Sequence, residues 1–204
     1  MVRRTRRTGK SITSAKSLFA LTAASVAALS GPALAVNLND PAEQAAGGIT
    51  NYWDRSNTLP NVVALYTDRG GWCTGTLINS RTVLTASHCI MDEDTGAIRT
   101  NPSALNDQIR FGSNASVATL NDRTVSGAYA HRGYDPSGYG LHDIALLSLS
   151  GPVKNVVPVT LIGPDDPLPA KGSLVLITGY GRSGTGTAPN TNSDDKRRIA
   201  YTNI

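Results

Sequence analysis

Apolar and polar residues alternate along most of this chain in runs too short to make helices. Six of them, "NVVALYT" (61–67), "CTGTLI" (73–78), "TVLTA" (82–86), "QIRFG" (108–112), "RTVSGAYA" (123–130) and "IALLSL" (144–149), are rich in Val, Ile, Leu, Thr and Tyr. Each is bounded by Gly, Asn, Asp, Ser or Pro, the residues that turn a chain, so each predicts a strand. No segment between Gly48 and Pro152 sustains the 3.6-residue period of an amphipathic helix. Short strands without helices between them predict an all-β fold, a small antiparallel barrel or sandwich. "GPDDPLPAKG" (163–172) then interrupts with three prolines and two glycines and marks a boundary after about residue 162. "SLVLITGYG" (173–181) resumes the strand pattern, but the residues up to Ile204 hold too few strands to close a second barrel. The expectation is a complete first barrel and the start of a second over 172–204.

The N-terminus breaks this pattern. Residues 1–35 carry six Lys or Arg and no acid, then an apolar stretch from Leu18 to about Leu29, then Ala33-Leu34-Ala35. The stretch is too short to cross a bilayer as a helix. A basic start, a short apolar core and a small-x-small ending predict a secretory signal peptide over 1–35, and a secreted or periplasmic protein. A basic nucleic-acid arm would lack the apolar core. "VNLNDPAEQAAGG" (36–48) is polar, small and Gly-rich, and reads as a linker or propeptide before a domain at 49–204.

Charge takes on a different meaning once the leader is set aside. The whole chain has 19 basic and 15 acidic residues and a pI near 9.2. Without the leader's six basic residues, 13 remain against 15 acids, a net charge of −2. The basic pI therefore belongs to the export signal, and neither a nucleic-acid partner nor stable membrane insertion of the mature part is expected. The remaining residues are enough to bury a real core.

Two cysteines in an exported chain point to one disulfide, Cys73–Cys89. The loop it would close, about 15 residues long, is worth roughly 3 kcal/mol on the chain-entropy model. A metal site is the competing reading, but Cys73, His88 and Cys89 offer three ligands at most, and adjacent residues rarely converge on one ion. "LTASHC" (84–89) places His88 at the end of an apolar strand and beside a cysteine. Anchoring of that kind suits a general base, which must be held within hydrogen-bond reach of its partner. Alone, such a histidine is more often a surface or structural residue.

The wider pattern decides otherwise. "GWCTGTLINSRTVLTASHC" (71–89) resembles the chymotrypsin-like, or trypsin-family (peptidase S1), serine proteases, whose first barrel carries a Cys, Gly-small-Leu-Ile, an apolar strand and a T-A-[AS]-H-C ending. "VSGAYAHRGYDPSGYGLHDIALLSLS" (125–150) is similar to the family segment that bears the catalytic aspartate, and "ITGYGRSGTG" (177–186) to the Gly-aromatic-Gly turn that begins the second barrel. The resemblance implies a trypsin-like barrel, a histidine-loop disulfide between Cys73 and Cys89, and peptide-bond hydrolysis through an acyl-enzyme. It further implies a protein or peptide substrate and no metal or organic cofactor. His88 and Asp143 would be the histidine and aspartate of the triad, the carboxylate fixing the tautomer of the base. By itself Asp143 would pass for a turn acid. His142, next to it, is expected to face the opposite way and be exposed if the strand is extended. His131 matches a common family histidine with no direct catalytic role.

The third member is missing. The family's serine sits in a G-D-S-G-G stretch, and these 204 residues contain none. Ser113 and Ser137 fall in the wrong barrel, and Ser183 follows "GYG" too closely to face the histidine. The oxyanion donors and specificity pocket are absent with it. Losing the nucleophile alone costs on the order of 10⁶ in turnover. The expectation is thus a protease chain truncated before its serine and inactive as it stands, with a non-catalytic secreted binding module as the alternative. "AAGGITNYWD" (45–54) lacks the basic residue that precedes the family's activated N-terminus. "DDKRR" (194–198) reads as a solvated loop or a cleavage site.

Overall fold

A computed structural model describes residues 34–38, 48–66, 71–92, 95–99, 108–137, 140–185 and 194–204. Leader residues 1–33 and linker residues 39–47 lie outside them. The strands are β1 (Leu34–Leu38), β2 (Val62–Tyr66), β3 (Trp72–Asn79), β4 (Thr82–Thr85), β5 (Gln108–Arg110), β6 (Arg123–Ala130), β7 (Ala145–Leu149), β8 (Leu174–Gly179), β9 (Arg182–Thr185) and β10 (Arg198–Asn203). All six alternating runs before Pro152 form strands, β2 to β7. The helices among the described residues are two short 3-10 turns, Ile49–Tyr52 and Ser87–Ile90.

β2 to β7 close a barrel in the order β2-β3-β4-β7-β6-β5, every pairing antiparallel. Alternation is what lets it close, because every strand sends one face inward. Val63 and Leu65 from β2, Leu77 from β3, Val83 from β4, Ile109 from β5 and Ala145, Leu147 and Leu149 from β7 fill the interior. Burying each such large side chain is worth about 1.5–3 kcal/mol. In β6 the inward positions shift from Val125 to Ala128, because a register irregularity between Val125 and Gly127 adds a residue. β2 is the exception to one-sided burial. Its outward Val62 and Ala64 are also covered, by Ala115 and Tyr180, which accounts for the unbroken apolar "VVAL".

After β7 the chain runs without regular structure to β8, as the proline-rich stretch predicts. β8 and β10 form a two-stranded antiparallel sheet with Leu174, Leu176 and Tyr201 exposed. β9 pairs in parallel with β1, which straddles the expected cleavage point after Ala35 and takes Val36–Leu38 from the expected linker.

The reading of "DDKRR" as a solvated loop is corrected here. Arg197 and Arg198 are buried, at 0% and 1% exposure. Arg197 donates to Asp54 Oδ2 from Nη2 at 2.6 Å and from Nε at 3.1 Å, and also to Asn57 Oδ1 and the Val62 carbonyl. Asp54 in turn accepts from the backbone N–H and hydroxyl of Thr58. The tribasic run therefore anchors the 48–54 segment to the second half of the chain.

Candidate active site

β4 and β7 are neighbours, and Thr85 at the end of β4 pairs with Ala145 at the start of β7. The residues just after Thr85 and just before Ala145 must therefore meet at one rim of the barrel. His88 lies three positions beyond Thr85, in the Ser87–Ile90 turn, and Asp143 two positions before Ala145.

They do meet. Asp143 Oδ2 lies 2.6 Å from His88 Nδ1, and Asp143 Oδ1 accepts the His88 backbone N–H at 2.9 Å. One carboxylate thus fixes both the ring and the backbone of the histidine. With Nδ1–H donated to the carboxylate, Nε2 keeps its lone pair, the state a general base requires. The side chains are 37% and 27% exposed, so Nε2 stays reachable while the carboxylate is largely shielded. Burial first, then the negative charges of Asp143 and Asp135, pushes the nearby Tyr134 phenol above its ordinary value.

Two further restraints hold the turn. Cys73 on β3 is bonded to Cys89, with Cα atoms 6.1 Å apart, which ties the residue after His88 to the neighbouring strand. Bonded in this way, the two sulfurs are not thiolate ligands. His88 Nε2 lies 3.5 Å from Cys89 Sγ, which has no proton to donate. Ser87, which the sequence did not single out, is fully buried and donates its hydroxyl to the Ile144 carbonyl at 2.8 Å, clamping the histidine turn to the aspartate segment. A small hydroxyl residue next to the histidine is the only trace of that role in the sequence.

His142 is exposed as expected, but for a different reason. It adopts a left-handed conformation, φ 59, instead of an extended one, and its ring stacks on His131 with centroids 4.6 Å apart. The candidate serines do not complete a triad. Ser183 is fully buried, Ser137 donates its hydroxyl to Asp135, and the Ser113 carbonyl accepts from Trp53 Nε1 and the Arg197 backbone. No described serine hydroxyl hydrogen-bonds to His88 Nε2.

The family model for trypsin matches residues 49–202. Among curated proteins, the snake venom serine protease pallase of Gloydius halys is 34% identical over 128 residues, covering 59% of this chain and 47% of the relative. Serine protease 7 of Drosophila melanogaster is 34% identical over 134 residues, covering 55% of this chain and 32% of the relative. The chain thus spans less than half the length of these relatives. With a match over nearly the whole described domain, a closed antiparallel barrel and a histidine–aspartate pair on its rim, the chain belongs to the trypsin family of serine proteases.

Proposed function

We propose that this chain carries the histidine–aspartate half of the catalytic triad of a serine endopeptidase acting on protein or peptide substrates. The observation that supports it best is the double grip of Asp143 on His88, which leaves Nε2 free to take a proton. In the reaction so assigned, His88 accepts the proton of the attacking serine hydroxyl and returns it to the leaving amine. Asp143 keeps the imidazole in one tautomer and stabilises the imidazolium. An acyl-enzyme forms and is hydrolysed, with no metal or organic cofactor. These 204 residues hold no G-D-S-G-G stretch to supply the serine and its oxyanion donors, so the reading assigns this chain the base and its orienting acid and no nucleophile.

Export is part of this reading. It is supported by the basic and apolar leader, by the disulfide, and by a relative named as a venom protease. No helix among the described residues is long and apolar enough to cross a membrane.

Reading the gene beyond the codon for Ile204, in all three frames, tests the proposal. A downstream G-D-S-G-G segment supports it, and a stop codon with no remnant of that segment overturns it. At the protein level, a fluorophosphonate probe should leave the 204-residue chain unlabelled. Labelling that disappears on Ser183→Ala would place the nucleophile within this chain and overturn the assignment.

A further inference from the structure

A concavity that neither His88 nor Asp143 lines lies where β2, β3 and β5 meet the segment leading into β10. It encloses about 340 Å³ and is lined by Tyr66, Trp72, Gln108, Arg110, Ser116 and Asp195, a size at the lower end for small-ligand sites. Its apolar side is an aromatic corner. Tyr66 and Trp72 face each other across β2 and β3, with ring centroids 4.8 Å apart and planes at 62°.

Asp195 forms the opposing polar wall. Its carboxylate accepts the Trp72 indole N–H at 2.6 Å and the Ser116 hydroxyl at 2.5 Å, and its carbonyl accepts the Ala115 N–H. It does so at φ 59, a left-handed conformation unfavourable for a residue with a Cβ. A strained residue held by three hydrogen bonds and aimed into a cavity is the kind of feature that clusters at ligand sites.

The charges select the ligand. Arg110 is already neutralised by Asp122 at 2.8 Å, so it offers an anion little. Lys196, beside Asp195, lies over the Trp53 ring and 3.6 Å from Asp194. An anion in the cavity would meet the Asp195 carboxylate, and a cation, which only donates, would leave the spare Arg110 N–H donors without an acceptor. A neutral ligand whose groups both donate and accept satisfies both. Each Asp195 oxygen keeps a further lone pair, the Gln108 amide can donate and accept, and the Arg110 guanidinium has donors beyond the one given to Asp122. Vicinal hydroxyls above an apolar ring face, as on a pyranose, match this wall and this corner.

We propose that the cavity binds one pyranose unit of a neutral carbohydrate, its ring against the Tyr66–Trp72 corner and its hydroxyls shared among Asp195, Gln108 and Arg110. This does not depend on the protease reading. The test is an NMR titration of the purified chain with N,N′,N″-triacetylchitotriose, maltotriose and methyl α-mannoside, following the two indole N–H signals, with that of Trp72 assigned by Trp72→Phe. At least one sugar should shift the Trp72 signal saturably with a Kd of about 1 mM and leave Trp53 unmoved. Gln108→Ala, on the rim, should weaken that binding about tenfold at an unchanged melting temperature. Silence from all three sugars overturns the proposal. So does a Trp72 response to arginine amide or inorganic sulfate without one to the sugars, which would mark a site for charged ligands. Binding indifferent to Gln108→Ala overturns the assigned hydroxyl contacts.

Discussion

Asp143 holds His88 at two points, the ring Nδ1 at 2.6 Å and the backbone N–H at 2.9 Å, each through a different carboxylate oxygen. The ring contact sets the tautomer and the backbone contact sets the position of the turn. Asp143→Asn separates the two. An asparagine oxygen can still accept the backbone N–H, but its amide would donate to Nδ1 and drive the ring proton onto Nε2. The hydrogen-bonded His88 Nδ1–H resonance should vanish from the NMR spectrum of this chain. In a complete protease the same change should lower kcat by about 10⁴. A resonance that survives the substitution would show that the carboxylate does not set the tautomer.

The Cys73–Cys89 bridge joins β3 to the turn that carries His88. Replacing both cysteines with alanine should cost about 3 kcal/mol. For a chain of this size that is a fall in melting temperature of about 10 °C. Because the bridge also restrains His88, the Nδ1–H signal should exchange faster in the variant. An unchanged melt would mean that the bridge adds nothing beyond the barrel's own packing.

Sequence patterning carried the barrel because closure depends on a period of two, and Val63, Leu65, Val83, Leu147 and Leu149 supply it locally. The His88–Asp143 pair was legible for a related reason, since each motif adjoins a strand and β4 and β7 are partners. Asp54–Arg197 was not legible. Its members are 143 positions apart, and a run such as "DDKRR" looks solvated until the fold brings Asp54, Asn57 and the Val62 carbonyl around it. The left-handed backbone at His142 and Asp195 was hidden too, because Asp and His adopt it more often than most residues but nothing in the local sequence marks these two positions for it.

Gly75 occupies a place on β3 where no larger residue fits. A Cβ there would come within 2.5 Å of Val83 Cγ1 and 3.2 Å of Val63 Cγ2, both branched core side chains with little room to turn. Gly75→Ala should destabilise the barrel by about 1–3 kcal/mol, the usual cost of overpacking. Gly75→Ala combined with Val83→Ala should cost less than the sum of the two single changes, since the closest contact is then gone. Urea unfolding of the single and double variants measures both effects, and a neutral single variant would refute the close packing of β3 on β4.

The Asp54–Arg197 pair makes the fold sensitive to acid. The two side chains are 2% and 0% exposed. Burial by itself would raise the Asp54 carboxyl. The Thr58 backbone N–H, the Arg197 guanidinium and the Thr58 hydroxyl together outweigh it and hold the group below its ordinary value. Asp122 and Asp194 are lowered in the same way, burial again opposed by N–H donors and arginines. A carboxyl depressed in the folded state is protonated first in the unfolded chain, so acid favours unfolding. Its contribution is complete above the unfolded carboxylate value of about 3.9 and is lost as pH falls through the folded values. The urea midpoint should therefore stay level from about pH 7 to 5 and drop below about pH 4. Asp54→Asn should lower the midpoint at neutral pH by the equivalent of about 3–5 kcal/mol, because Arg197 is left buried without its counter-charge. It should also flatten the acid limb by the share that Asp54 contributes. An acid limb as steep in Asp54→Asn as in the parent chain would assign the pH dependence to Asp122 and Asp194 and remove Asp54 from it.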